Sequence, residues 1–168
     1  MKTNTIELYI HIPFCKSKCR YCDFCSFRAE EETIHAYLGK LKEELIFWGK
    51  KLAARDVVTV FIGGGTPSYL RREDIQMICE TIFEHFHICE DAEITIEANP
   101  GTVDLKKLCT YRENGINRIS FGLQSTVKEE LEYLGRIHTY EQFLQCYNWA
   151  REAGFCNISV DLMRAIPK

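Results

Sequence analysis

The cysteines are the residues of this sequence whose type and spacing first indicate chemistry. The chain contains nine, and Cys15, Cys19, Cys22 and Cys25 fall within eleven residues. Disulfide bonds are a poor explanation, since nine is an odd number and no export signal is evident. Thiols clustered in a reducing compartment favour a metal ion or an iron–sulfur cluster. The other five are expected to be small buried hydrophobic residues: Cys79, Cys89, Cys109, Cys146 and Cys156.

The first three cysteines have the spacing C-x3-C-x2-C, which lets one loop present three thiolates to a single cluster. Three thiolates on a four-iron cluster leave one iron open to an outside chelator, such as the amine and carboxylate of an amino acid. Two alternatives stay open at this point. All four clustered thiolates could hold a tetrahedral Zn²⁺ ion, and Cys19 with Cys22 could form a redox dithiol.

A second motif, Gly63-Gly64-Gly65-Thr66-Pro67, follows an apolar stretch of the chain. Glycines let a ligand approach main-chain donors and acceptors closely, because they have no side chain. The motif lacks the G-x-G-x-x-G spacing and the lysine of a phosphate loop, so phosphate binding is disfavoured. Alone it could be a tight turn. Together with the cysteine loop it indicates a second part of one site.

These motifs lie in a chain whose short apolar strands alternate with amphipathic helices. The predicted strands are Glu7–Ile12, Val57–Ile62, Glu93–Ala98, Asn117–Leu123 and Asn157–Leu162. Helices are predicted within Glu30–Ala54, Arg71–Phe86, Asp104–Asn114, Val127–Leu134 and Tyr140–Ala153. Gly115 and Gly154 are expected to end two of these helices. Regular alternation predicts right-handed βαβ units and a parallel α/β sheet, flat or closed into a barrel.

Four of the strands alternate apolar with polar residues, unlike the continuous apolar runs of a parallel sheet covered on both faces. Helices would cover the apolar faces. The polar faces would then line a shared interior, with Glu97, Gln124 and Asp161 at the carboxyl ends of their strands. Those ends are where α/β sheets and barrels bind ligands. The pattern predicts a polar binding cavity in preference to a sheet with one bare, solvent-exposed face.

Composition sets limits on the class of function. The 168 residues carry 21 Lys and Arg against 24 Asp and Glu, a formal net charge of −3, and 46% are hydrophobic. This balance is typical of a globular domain, and the lack of a basic block argues against nucleic acid as the main partner. The sequence contains no run of about 18 apolar residues, which is the length that a membrane span requires. The first residues lack the features of a signal peptide, so a cytoplasmic location is expected.

Taken together, the motifs resemble a known family. C-x3-C-x2-C after the first strand, with GGGTP after the second, is similar to the radical S-adenosylmethionine (SAM) superfamily. Longer strings resemble the oxygen-independent coproporphyrinogen oxidase group within it, namely YIHIPFC, IGGGTPSYL, EITIEANPGT, GINRISFGLQS, LGRIH and AGFCNISVDLM. The matching segments run from Tyr9 to Asp161 in the order found in that family.

This resemblance implies a role for each matching residue. Cys15, Cys19 and Cys22 would hold a [4Fe–4S] cluster whose open iron binds the methionyl part of SAM. The residues implied in SAM binding are Tyr9 and Tyr21 beside the cluster, Gly64, Gly65 and Thr66 at the amino group, and Glu97, Gln124, Arg136 and Asp161 at the other polar positions. The reduced cluster would split SAM into methionine and a 5′-deoxyadenosyl radical, while the protein orients the cofactor. His11 and His138 flank this site and are expected to be structural.

One departure from the oxidase pattern bears on function. The oxidases carry a further cysteine two residues after the third ligand, at the position of Phe24 here, so Cys25 has no assigned role. This feature, and a first strand that begins close to Met1, are similar to heme chaperones of the HemW type. The resemblance therefore implies that the protein binds heme and transfers it to an acceptor protein. These residues identify neither the acceptor protein nor the electron donor. SAM-dependent decarboxylation of coproporphyrinogen III and a zinc-stabilised module without catalysis remain alternatives.

A second departure concerns length. The family barrel has a sixth strand followed by a smaller C-terminal domain, whereas this sequence stops just after the fifth predicted strand. Residues 1–168 are therefore expected to form an incomplete radical SAM core, an open partial barrel of about five βα units with its C-terminal part missing. The cluster loop is predicted at residues 13–28. An exposed parallel edge would favour aggregation or pairing.

Overall fold

The computed structural model describes residues 4–167, so Met1, Lys2, Thr3 and Lys168, at the two ends of the predicted domain, lie outside it. Its strands are β1 (Thr5–Ile12), β2 (Asp56–Gly64), β3 (His87–Ala98), β4 (Arg118–Gln124) and β5 (Asn157–Leu162). Its helices are α1 (Glu31–Lys51), α2 (Arg72–His85), α3 (Leu105–Glu113), α4 (Lys128–Leu134) and α5 (Tyr140–Glu152). Every predicted strand and helix is present, which confirms the α/β fold class.

The strands form one five-stranded sheet in the order β1-β2-β3-β4-β5. All four neighbouring pairs are parallel. Sequential parallel order with helical crossovers is the arrangement of a (β/α) barrel. In the part of the chain that the structure describes, β1 and β5 form the two edges, so the sheet is an open, partial barrel, as predicted.

A row of isoleucines crosses the sheet on its helix-covered face. The strand register pairs them as Ile10 with Ile62, Ile62 with Ile96, Ile96 with Ile119, and Ile119 with Ile158. The three central members have no exposed surface and lie in the hydrophobic core. Because successive residues of a strand point to opposite faces, the positions beside this row face the interior.

Polar side chains on the interior face bond to one another across the strands. The Ser159 hydroxyl donates to Ser120 Oγ at 3.0 Å. The Arg118 guanidinium donates to Ser159 Oγ at 2.9 Å and to Thr95 Oγ1 at 3.2 Å, and it lies 3.8 Å from Glu93. Buried polar groups are costly unless they are bonded. This network therefore makes a polar interior compatible with a stable fold.

The helices cover the other face of the sheet. Two of them end next to a glycine, as the sequence predicted. Gly115 after α3 has φ +86° and Gly154 after α5 has φ +91°, both in the left-handed region that favours glycine. A Cβ on Gly115 would also lie 2.6 Å from the ring of Phe83, so a larger residue there requires that ring to move. Within residues 4–167, no helix is both long and apolar enough to cross a membrane.

Strand β3 is longer than the sequence pattern predicted. It begins at His87 and not at Glu93, and His87 pairs with Asp56 before a shift in register that precedes the pairing of Glu93 with Thr59. The extension escaped prediction because Glu90 and Asp91 interrupt the apolar alternation. Pairing with β2 imposes the extended conformation there, against the local pattern.

The expectation that all five scattered cysteines are buried was wrong for three of them. Cys79 and Cys146 are buried, Cys89 and Cys109 are half-buried, and Cys156 is exposed. Burial raises the pKa of Cys79 to about 12, so this thiol packs as a neutral hydrophobic group. Cys156 lies in the turn between α5 and β5, where the chain reaches the surface. Burial depends on position in the fold as well as on residue type.

Tyr111 generates a prediction about the core. Its side chain is fully buried, and its hydroxyl has no hydrogen-bond partner among residues 4–167. We expect Tyr111→Phe to keep or raise the free energy of unfolding, by up to ~1 kcal/mol, because it removes an unpaired polar group. Tyr111→Ala should lower it by ~3–5 kcal/mol, since it leaves a cavity. Urea unfolding followed by circular dichroism measures both, and a large loss in Tyr111→Phe would contradict the account.

Candidate functional site

A cavity of about 270 Å³ opens at the carboxyl ends of the strands. Its size lies near the lower end of pockets for small ligands, which start at about 300 Å³. The predicted site residues that line it are Cys15, Cys19, Tyr21, Cys22, Gly64, Gly65, Thr66, Glu97, Gln124, Arg136 and Asp161. The fold therefore gathers every predicted site residue except Tyr9 around one space.

Tyr9 lies outside the lining of this cavity. Its side chain is 59% exposed, its ring stacks on Phe61 with centroids 6.0 Å apart, and its hydroxyl is 3.3 Å from Nδ1 of His11. Burial raises its pKa, and the negative charge of Glu97 adds to that rise. Contact between Tyr9 and SAM stays a prediction from the family resemblance.

The loop after β1 is pinned at both of its ends. The main-chain N–H of Cys15 donates to the carbonyl of Phe27 at 3.0 Å, and that of Phe27 donates to Pro13 at 2.8 Å. The buried ring of Phe14 packs edge-on against Tyr37 of α1, with centroids 5.2 Å apart. These contacts fix where the loop leaves the sheet and where it returns.

Two basic residues hold the middle of the same loop. Lys18 Nζ donates to the carbonyls of Phe24 at 2.6 Å and Ser26 at 3.1 Å. The main-chain N–H of Arg20 donates to the carbonyl of Leu134 at 3.0 Å, which ties the loop to the end of α4. Sequence reasoning missed Lys18 as a site residue, although it lines the cavity. Its position between two cysteines of the motif was the available signal.

Three free thiols face the cavity from this loop. Cys15 is buried and Cys19 and Cys22 are half-buried, whereas Cys25 is exposed and is not part of the lining. Across residues 4–167, no three Cys, His, Asp or Glu side chains lie close enough together for one metal ion. Three thiols around one space suit a cluster larger than a single ion, since iron–sulfur clusters are held by thiolates. Cys25, the fourth thiolate that the zinc alternative requires, does not line the cavity.

Gly65 allows the end of β2 to touch the cysteine loop. Its N–H donates to the carbonyl of Ile12 at 2.8 Å, and the N–H of Thr66 donates to the carbonyl of Phe14 at 2.8 Å. A Cβ on Gly65 would lie 2.8 Å from the Phe14 oxygen and 3.0 Å from Cys15 Sγ. The Thr66 hydroxyl donates to Cys15 Sγ at 3.5 Å. The glycine motif is therefore a wall of the thiol site.

Two carboxyl groups face the cavity from β3 and β5. Glu97 accepts the main-chain N–H of Gly64 at 3.0 Å, and Asp161 accepts the Ser120 hydroxyl at 3.4 Å. Burial raises the pKa of Glu97 and the charge of Asp161 adds to the rise, while the Gly64 bond and His11 oppose it. These carboxyl groups can accept hydrogen bonds from the amino or hydroxyl groups of a ligand.

Gln124 reaches the cavity through an uncommon backbone conformation. Its φ of +69° lies in the left-handed region, which non-glycine residues seldom adopt. It stands beside the register shift between Gly122 and Gln124, and its carbonyl accepts the N–H of Met163 at 2.8 Å. Such conformations cost on the order of 1–3 kcal/mol and cluster at functional sites.

Asn99 is a site residue that sequence reasoning missed. Its amide nitrogen donates to Thr66 Oγ1 at 2.9 Å, and its amide oxygen accepts Arg136 Nη2 at 2.5 Å. It lines the cavity directly beyond β3. The alternation that places Asn99 on the same face as Thr95 and Glu97 was a signal that could have identified it.

Arg136 spans the cavity wall between the sheet and the cysteine loop. It donates to the carbonyl of Gly122, and its Nη1 lies 3.6 Å from Cys19 Sγ. Its buried Nε has no hydrogen-bond partner among residues 4–167. An unpaired buried donor on a cation is unfavourable, and the positive charge of Arg136 at the cavity suits an anionic ligand group such as a carboxylate.

Both flanking histidines have main-chain partners. Nε2 of His11 lies 2.9 Å from the carbonyl of Cys25, and that of His138 lies 3.2 Å from the carbonyl of Leu123. Burial and, to a smaller extent, the positive charge of Arg136 lower the pKa of His138 to about 4, against an opposing effect of the bond to Leu123. These contacts agree with the expected structural roles of both residues.

The fold and the site together define the class of protein. A family model described as the Radical SAM superfamily matches residues 9–168, and the chain belongs to that superfamily. Membership implies SAM and a [4Fe–4S] cluster as cofactors. The three thiols and the Arg136 guanidinium that line the cavity are chemically suited to such a pair.

Among curated proteins, this chain is similar to heme chaperones. It is 39% identical over 160 residues to the heme chaperone HemW of Bacillus subtilis (strain 168), covering 95% of this chain and 42% of that protein. It is 40% identical over 168 residues to the heme chaperone HemW of Escherichia coli (strain K12), covering 99% and 44%. The chain therefore spans about two fifths of the length of these relatives.

A solved structure is similar across nearly the whole chain. Coproporphyrinogen III oxidase (HemN) from Escherichia coli, described as a radical SAM enzyme, matches with a TM-score of 0.92 at 34% identity. The match covers 99% of this chain and 38% of that one. Both the chaperone and the oxidase branches of the group are therefore relatives.

The packing at Gly65 generates a prediction. We expect Gly65→Ala to lower the free energy of unfolding by ~1–3 kcal/mol, because its Cβ would press on main chain and on the Cys15 thiol. Gly39→Ala in α1 is the matched control, since a Cβ there meets nothing within 4 Å; it should raise stability by ~0.5–1 kcal/mol. Urea unfolding compares the two, and equal effects would refute this account of the wall.

Proposed function

We propose that residues 1–168 are the radical SAM core of a heme chaperone, which binds heme and passes it to an acceptor protein. The observation that carries the proposal is a cavity at which three free thiols meet the predicted SAM-site residues, with the exception of Tyr9. The identity of 39–40% to two proteins named heme chaperones supports the choice within the superfamily. Nine free cysteines suit a reducing compartment, so we place the protein in the cytoplasm.

Cys15, Cys19 and Cys22 would hold the [4Fe–4S] cluster. When bound and reduced, the cluster supplies an electron to the sulfonium of SAM. The chain itself sets the surroundings of the sulfurs, because Thr66 Oγ1 is 3.5 Å from Cys15 Sγ and Arg136 Nη1 is 3.6 Å from Cys19 Sγ. Hydrogen bonds to cluster sulfurs are one way a protein tunes a reduction potential.

The polar wall would bind the rest of SAM. Glu97 and Asp161 offer carboxyl oxygens to amino and hydroxyl groups, and the Arg136 guanidinium offers its positive charge to the ligand carboxylate. Tyr21 lies beside the thiols, where burial raises its pKa to about 12, so its phenol stays neutral. Tyr9, Gly64, Gly65, Thr66 and Gln124 complete the proposed set.

The cysteine loop favours the chaperone over the oxidase. Phe24 stands where the oxidases have a further cysteine, and its side chain is 70% exposed. SAM-dependent decarboxylation of coproporphyrinogen III is the second candidate. It is favoured by the TM-score of 0.92 with a solved oxidase.

The cluster assignment predicts a difference between neighbouring cysteines. After anaerobic reconstitution with iron and sulfide, we expect Cys19→Ser to lose at least about tenfold in bound iron, because it removes one of three thiolates. Cys25→Ser should retain the iron content of the parent chain, since its thiol does not line the cavity. Iron and sulfide analysis with electron paramagnetic resonance, with and without SAM, measures this. Equal iron in both variants would refute the assignment.

Heme binding separates the two candidate functions. We expect the reconstituted chain to bind heme at about one equivalent, seen as a saturating shift of the Soret band. It should release no carbon dioxide from coproporphyrinogen III with SAM and a reductant under anaerobic conditions. Decarboxylation without heme binding would replace the chaperone by the oxidase.

A further inference from the structure

Lys107 is a half-buried cation behind the wall of the cavity, on the first turn of α3. Asp104 caps this helix and accepts the main-chain N–H of Lys107 at 2.7 Å. Two effects oppose a charge at this place: the helix dipole is unfavourable to cations at the N-terminus, and burial lowers the pKa of Lys107 to about 8. A lysine placed against both effects must have compensating contacts.

The ammonium group joins the two loops that form the cavity wall. Lys107 Nζ donates to the carbonyl of Ser68 at 2.5 Å and to that of Thr102 at 3.1 Å. Ser68 follows β2 just after Thr66, and Thr102 follows β3 just after Asn99. Hydrogen bonds from a charged donor are stronger than those between neutral groups.

The hydroxyls of the same two residues close a ring of hydrogen bonds. The N–H of Asn99 donates to Ser68 Oγ at 3.1 Å, the hydroxyls of Ser68 and Thr102 are 2.6 Å apart, and Thr102 Oγ1 donates to the Asn99 carbonyl at 2.6 Å. Because the only proton of the Thr102 hydroxyl is used in that last bond, Ser68 is the donor to Thr102. The ring fixes both main-chain polar groups of Asn99.

The side chain of Asn99 connects this ring of hydrogen bonds to the site. Its amide donates to Thr66 Oγ1 at 2.9 Å and accepts Arg136 Nη2 at 2.5 Å. Thr66 and Arg136 in turn contact the sulfurs of Cys15 and Cys19. A continuous chain of contacts therefore runs from Lys107 to the cavity lining.

We propose that Lys107 is a positioning residue of this site, whose protonated ammonium locks the loops after β2 and β3 so that Asn99 can hold Thr66 and Arg136 for the amino-acid end of SAM. The inference rests on the proposed function, since it assumes that the cavity binds SAM. According to this inference, a residue outside the cavity controls the affinity of the cavity for its ligand.

The charges around Lys107 set the direction of its pH dependence. Asp104 faces it from α3, and Asp74 and Glu73 face it from the first turn of α2, all of which favour the protonated form. Burial is the larger effect and lowers the pKa to about 8. The charge-assisted bonds are therefore present below that pH and weaken as the pH rises through it.

The test compares SAM affinity across variants of the full, anaerobically reconstituted chain. Equilibrium dialysis with labelled SAM at pH 7 and pH 9 gives the dissociation constants, and iron analysis checks that the cluster is loaded. We expect Lys107→Met to bind SAM about tenfold more weakly at pH 7, in the range seen for residues that orient ligands indirectly. Lys107→Arg keeps its charge and should bind with less change between the two pH values than the parent chain. Lys106→Met, at the exposed neighbouring lysine, should match the parent.

The outcomes separate this inference from the proposed function. A parent chain that binds no SAM would refute both. A parent that binds SAM, with Lys107→Met equal to Lys106→Met at both pH values, would refute the role of Lys107 alone. If Lys107→Met does not fold, Ser68→Ala and Thr102→Val test the same ring with the lysine intact. Weaker SAM binding with unchanged iron supports the proposal in those variants, and unchanged affinity overturns it.

Discussion

The parallel register of the five strands is the constraint on which the rest of this structure depends. It aligns Ile62, Ile96 and Ile119 in one buried row. With that row facing the helices, the neighbouring positions Glu97 and Ser120 must face the interior. A shift by one residue in any strand would bury its polar side chains under the helices. Core packing and the polar lining of the site are therefore two results of one register.

The site itself is built from contacts between loops at one edge of that sheet. Gly65 lets the end of β2 reach the cysteine loop, where its N–H bonds to Ile12. Arg136 joins the segment after α4 to the end of β4 and to Cys19. Each of these bonds ties segments far apart in sequence. The direction in which the three thiols point therefore depends on the neighbouring loops as much as on the cysteine loop itself.

Several charged groups in and behind the cavity wall are partly buried, which is unfavourable for a charge. Glu97, Arg136 and Lys107 all carry groups that water would solvate better, and the protein compensates with main-chain partners at Gly64, Gly122 and Ser68. Nε of Arg136 is the exception among these three residues, since it has no hydrogen-bond partner within residues 4–167. A guanidinium that lines the cavity is suited to an anionic ligand group, which agrees with an amino-acid cofactor in a member of the Radical SAM superfamily.

The sequence by itself determined the fold class, the strands, and most of the cavity lining. Periodicity is a local property, so the alternation along each strand is enough to place Glu97 and Asp161 on inward faces, and the spacing of Cys15, Cys19 and Cys22 is likewise local. Only the tertiary structure decided that Asn99 bonds to Thr66 and Arg136, that Tyr9 does not line the cavity, and that β3 extends back to His87. It also showed Lys107 bonding to Ser68, a residue 39 positions away. These facts depend on pairing and packing between distant segments, which no local pattern encodes.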